Sequence, residues 1–212
     1  MNKVEVDFGK WLQEAFDLYK DHFALFALAG AMGLLLSAAT VGVLFGPMLA
    51  GMALILLRLL DKSEPKPQPA DLFKGFEFFL PAFLMTLVVF GASMLIGLIL
   101  MPFGLILRPL AYVAGLFLQT ATMFSIFLIV DRKYEFWPAI LGSYDLVKVN
   151  FWPLLALQLV ASLLGGLGAL GCCVGVLVTW PFTYCVIANA YRRCAVRGGE
   201  PALNPPPPPG AG

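Results

Sequence analysis

Residues 22–57 read HFALFALAGAMGLLLSAATVGVLFGPMLAGMALILL, 36 residues without one Asp, Glu, Lys or Arg. At 1.5 Å per residue a single straight helix would run about 54 Å, against a hydrocarbon core of about 30 Å. Two short antiparallel helices with a tight turn fit that core; one rod does not. The same holds for the apolar stretches 78–107 with 109–130, and for 149–191, 43 residues long.

The charges between these blocks give an independent test. They fall into four islands, at 1–22, 58–77, 131–148 and 192–212, and Arg108 alone lies elsewhere. Were each block a single crossing, the islands would alternate sides, dividing Lys and Arg seven to six with Arg108 left out. If each block goes in and returns, 13 of the 14 basic residues share one side. Short loops rich in Lys and Arg stay in the cytoplasm, so the second arrangement is favoured. The expected fold is an all-α integral membrane protein of about six transmembrane helices in three hairpins, with both termini cytoplasmic.

Composition agrees. The chain is 60% hydrophobic and 13% charged, where soluble domains carry about 25% charge. Too few ions are present to cover a water-facing surface. A net charge of +1 gives no argument for nucleic acid. The first 22 residues lack the apolar core of a cleaved signal, which predicts an uncleaved first anchor.

Gly46-Pro47, then Pro102 and Pro109, are the expected turns, since proline breaks helices and glycine loosens them. The third turn falls within 165–175 or at Trp180-Pro181. The expected helices are 23–45, 47–60, 78–101, 109–130, 151–173 and 174–191, within a membrane domain 23–193. A re-entrant first hairpin is the alternative. A weak repeat marks three units: Asp17-Leu-Tyr-Lys20, Asp71-Leu-Phe-Lys74 and Asp145-Leu-Val-Lys148 each precede an apolar block. Phe23 then matches Phe151, and Arg58 matches Arg192.

Two units open on amphipathic segments. In residues 1–22 the set Phe8, Trp11, Leu12, Ala15, Phe16, Tyr19 and Phe23 follows helical spacing. Trp137, Ile140, Leu141, Tyr144, Val147 and Phe151 repeat it. Beside a membrane block, this pattern predicts helices lying in the headgroup plane. The tail 194–212 carries Pro205, Pro206, Pro207, Pro208 and Pro209, which predicts a solvated polyproline II end that a partner's aromatic groove would accept.

Little in the chain suggests chemistry. His22 is the sole histidine, and no HExxH, GxSxG, P-loop or GxGxxG context occurs. Cys172, Cys173, Cys185 and Cys194 lack paired CxxC spacing and read as buried small hydrophobes. No metal, cofactor or catalytic residue is expected, and the chain reads as no enzyme. Intramembrane polar residues are Gln119, Thr120, Thr122, Ser125, Gln158, Ser162, Thr183, Tyr184 and Asn189, which interhelical hydrogen bonds would satisfy. A path past Gln119, Gln158 and Asn189 is the alternative role for them. Arg108, with Pro109 behind it, is expected at the outer interface, in contact with lipid phosphate or another anion.

Asp71-Leu-Phe-Lys-Gly-Phe76, Ser143-Tyr-Asp-Leu-Val-Lys-Val-Asn-Phe-Trp152, Thr179-Trp-Pro-Phe182 and Ala190-Tyr-Arg-Arg193 together resemble a diffuse group of bacterial six-helix membrane proteins. The group includes the membrane domain accompanying some glycerophosphodiester phosphodiesterases. The resemblance covers about residues 10–193 and implies a fold and a bacterial inner-membrane location, and it transfers no catalytic residue. The functional expectation is a non-enzymatic scaffold, accessory subunit or lipid-organising module. Its partners would be membrane lipids and other membrane or cytoplasmic proteins. The alternative is a pore or carrier for a lipid or small amphiphile.

Overall fold

The computed structural model describes residues 8–64, 66–101, 108–170 and 172–197, and all regular structure among them is helical. The order is α1 (Phe8–Asp21), α2 (Phe23–Ala39), α3 (Phe45–Leu60), a 3₁₀ segment (Pro69–Phe78), α4 (Phe79–Leu100), α5 (Arg108–Thr122), α6 (Ser125–Arg132), α7 (Phe136–Val149), α8 (Phe151–Leu170) and α9 (Cys172–Arg197).

The 3₁₀ segment with α4, and α5 with α6, are each long and apolar enough to cross a membrane. Two further candidates are bent pairs, α1 with α2 at 85° and α7 with α8 at 107°. On α4 only Ala82 and Met85 are buried, while Leu87, Phe90, Met94, Leu98 and Ile99 are exposed. An exposed apolar face of this length is consistent with membrane association.

The first turn differs from the sequence expectation. Gly46-Pro47 lies inside the first turn of α3, where a missing N–H breaks no helical bond. The reversal is made by Thr40–Leu44, through a Schellman pattern: Val41 N–H bonds Ala38 at 3.1 Å and Gly42 N–H bonds Ser37 at 2.7 Å. Likewise Pro181 sits within α9, so Trp180-Pro181 is not the third turn. The Pro102 turn lies outside the described residues.

A second difference is a break in the expected helix 109–130. Met123 and Phe124 interrupt it, and Ser143 of α7 fills the gap. Its hydroxyl accepts from Phe124 N–H at 3.1 Å and donates to the Ala121 carbonyl at 2.7 Å.

Ion pairs tie all four charged islands together at one end of the bundle. Arg193 bonds Glu14, Arg192 bonds both Asp61 and Asp131, and Arg58 lies 3.7 Å from Asp71. The amphipathic helices therefore pack partly on protein. On α1, Trp11, Ala15 and Tyr19 are buried, α9 being its main neighbour, while Phe16, and Phe23 at the start of α2, face outward. Helix α7 buries Ala139, Ser143 and Val147 but turns Trp137, Leu141 and Tyr144 outward. Of the expected headgroup face, Phe16, Phe23, Trp137, Leu141 and Tyr144 are the exposed members among the described side chains.

Candidate binding cavity

Five helices close a ring: α3 packs on α4, α4 on α5, α5 on α8, α8 on α9, and α9 back on α3. Between them lies a half-open cavity of about 670 Å³. Its lining is mostly hydrocarbon, from residues such as Phe45, Leu49, Met85, Val89 and Ile187. Across it Gln158 of α8 donates its Nε2 to Gln119 Oε1 of α5 at 3.2 Å. Gln158 is only 9% exposed, and its own Oε1 is buried without a partner.

A set of hydroxyls joins the two amides on the wall. Thr86, Ser93, Thr122 and Thr183 each donate to a carbonyl four residues back, at 2.8, 2.8, 2.9 and 3.0 Å. Sequence reasoning expected such groups to bond between helices. They bond within their own helices instead, because the i−4 carbonyl is always in reach of a helical Ser or Thr. Thr86 and Ser93 were not singled out from sequence at all.

Beyond Ile126 and Ile187, the fully buried rings of Phe127 and Tyr191 stack with centroids 5.4 Å apart. Past them Tyr191 donates to Asp131 at 2.9 Å.

Of the residues singled out beforehand, Gln119 and Gln158 meet here, and Asn189 does not. It faces α1, donating to Glu14 at 3.0 Å and accepting from Arg193 Nε at 3.3 Å. The Glu14 carboxyl is held below its usual range, first by that Asn189 bond and then by Arg193, against the opposing effect of burial. The side chains of Arg108, Cys172 and Cys173 are outside what the structure describes, and prolines 205–209 lie outside the described residues. Cys185 and Cys194 are buried free thiols. His22 accompanies the bend between α1 and α2, its Nδ1 3.2 Å from the Leu18 carbonyl. No three His, Cys, Asp or Glu side chains form a metal-ligand group among the described residues.

The sequence matches no protein-family model, no curated protein and no solved structure. The chemistry of the cavity must carry the functional reading.

Proposed function

We propose that this chain is a non-enzymatic integral membrane protein that holds a lipid or small amphiphile inside its helix ring. The observation that carries this is the paired Gln119 and Gln158, among several hydroxyls, in a mostly apolar cavity of about 670 Å³. Sites for small molecules are concave, mostly apolar, of about 300–1,000 Å³, with a few polar groups that fix orientation. The described lining residues include no Asp, Glu, His, Lys or Cys, which suits holding rather than reacting. The Phe127–Tyr191 plug favours a blind site over a conducting path.

The setting is a six-helix, three-hairpin arrangement in the cytoplasmic membrane of a bacterium. The gathering of the four islands at one end supports it, because that end carries nearly all the basic residues and so belongs in the cytoplasm. Kinship with the membrane domain of glycerophosphodiester phosphodiesterases rests on the Asp71–Phe76 and Ser143–Trp152 stretches.

The test is lipid retention. The chain, purified in mild detergent and weighed by native mass spectrometry, should carry one amphiphile near stoichiometry. Filling the cavity by Ala161→Phe or Ser93→Phe should release it. Recovery of only the bulk lipid mixture, unchanged in both variants, overturns the reading.

A further inference from the structure

We infer that a second groove, on the charged rim of the bundle, seats the headgroup of a zwitterionic phospholipid, one bearing an ammonium and a phosphate. The groove, of about 510 Å³ and half open, lies between the start of α4 and the link from α6 to α7. It shares no lining residue with the ring cavity. The inference therefore stands apart from that cavity and rests only on the membrane placement proposed above.

Three charges line the groove: Glu77, Lys133 and Glu135. At the same end of the bundle Glu14, Asp61, Asp71, Asp131 and Asp145 are each spent on a basic partner. The three groove charges are exposed, and none of them forms an ion pair or a side-chain hydrogen bond with a described residue. Lys133 takes its place from the backbone, capping α6 in a left-handed conformation at φ 54°. Phe78, Tyr134 and Phe136 line the groove too, each half-buried against the core. Leu80, Pro81 and Leu84 complete it, leading onto the exposed apolar face of α4. Glu77 and Leu84 are separated by about 10 Å of helix, so charge gives way to hydrocarbon over little more than one headgroup layer.

The pattern of charge selects the class. Two carboxylates attract an ammonium, and aromatic neighbours suit the same cation. Lys133 attracts a phosphate. An anionic lipid would satisfy Lys133 and leave two carboxylates facing its charge. A cationic amphiphile would satisfy the carboxylates and meet Lys133. A head that carries both charges satisfies all three side chains.

The test is a competition. The full chain in mild detergent would be offered equimolar phosphatidylethanolamine and phosphatidylglycerol of matched chains, and the retained lipid weighed by native mass spectrometry. Phosphatidylethanolamine should be retained about fivefold over phosphatidylglycerol, the increment of one or two exposed charge contacts. Glu77→Gln with Glu135→Gln leaves Lys133 as the groove's single charge and should reverse the preference. Lys133→Asn keeps a residue that accepts the left-handed backbone and should weaken retention of both lipids severalfold. All three positions are exposed, so the melting profile should hold in every variant. None of them lines the ring cavity, and a lipid held there contributes a constant background. Equal retention of the two lipids, phosphatidylglycerol preferred by the unaltered chain, or a preference unmoved by the paired glutamine substitutions overturns the headgroup site and leaves the ring cavity standing.

Discussion

Gly75 of the 3₁₀ segment lies against Gly51 of α3 with no room for a side chain on either. A β-carbon built on Gly75 would stand 2.8 Å from the Gly51 α-carbon, and one on Gly51 would stand 2.9 Å from the Leu72 α-carbon. Both obstacles are backbone, which cannot rotate away. Gly51→Ala and Gly75→Ala should each lower unfolding free energy by about 2–3 kcal/mol, read by thermal or denaturant unfolding in micelles. Gly91 in α4 meets nothing within 4 Å, so Gly91→Ala should instead add about 0.5–1 kcal/mol through helix propensity. Equal effects at Gly75 and Gly91 would refute the close crossing.

Arg192 holds the charged end through two carboxylates of unequal burial. Asp131 is 19% exposed in its side chain and lies 3.2 Å from Arg192, and it also accepts from Tyr191. Asp61 is 46% exposed. Asp131→Asn should cost about 1.5–3 kcal/mol, as a partly buried charge-assisted bond. Asp61→Asn should cost under about 1 kcal/mol, because water screens an exposed pair.

The carboxyls of Glu14 and Asp71 are both held below their usual range. For Asp71 the Lys74 ammonium is the largest cause, with the Gln68 N–H and Arg58 adding to it against burial. A depressed folded value means the unfolded chain binds protons first, so stability rises with pH. The contribution is complete above the ordinary value of 4.5 for Glu14 and is lost as pH falls through its lower folded value. Emission from Trp11, against which Arg193 stacks at 5.6 Å, should therefore change in acid below about pH 4.5. Glu14→Gln should flatten that transition. The loss in stability should stay under about 1 kcal/mol, since Glu14 is half-exposed.

The gathering of charges was legible in sequence because ions cannot enter hydrocarbon, whatever the helices do in detail. Turn positions were less so. Gly46-Pro47 looks like a reversal by composition, yet proline is at home in a first helical turn. The true reversal turns on Val41, whose β-branched side chain gives no hint of a left-handed backbone. The break at Met123-Phe124 is made by Ser143, distant in sequence, and no local window reveals it. Gln119, Gln158 and Asn189 look alike in sequence as polar residues in apolar surroundings. Only helix rotation separates the cavity pair from the one that binds α1.

Val41 has φ 52° and is 94% exposed. A left-handed backbone costs a non-glycine residue about 1–2 kcal/mol, and glycine gives back part of that in unfolded-state entropy. Val41→Gly should therefore stabilise the chain by about 0.5–1 kcal/mol, read as a higher midpoint of thermal unfolding. A lower midpoint would mean that the valine side chain contributes more through its surroundings than its backbone loses.

Ser143 is fully buried and is the sole described side chain bonding both backbone groups of the α5–α6 break. Ser143→Ala removes one oxygen and strands a buried N–H on Phe124 and a part-buried C=O on Ala121. Leaving such groups unmet costs about 1–3 kcal/mol each, which the helix can recover only by closing the break into a regular turn. The two outcomes are distinguishable by hydrogen exchange at the Phe124 amide. If the break persists, exchange there should accelerate with the loss of stability. If the helix straightens, the amide becomes protected by Thr120, and Met123 and Ile126 rotate on the cavity wall. Lipid retention should then fall although the fold survives. Unchanged exchange and unchanged stability would show that the serine bridge does not hold the break.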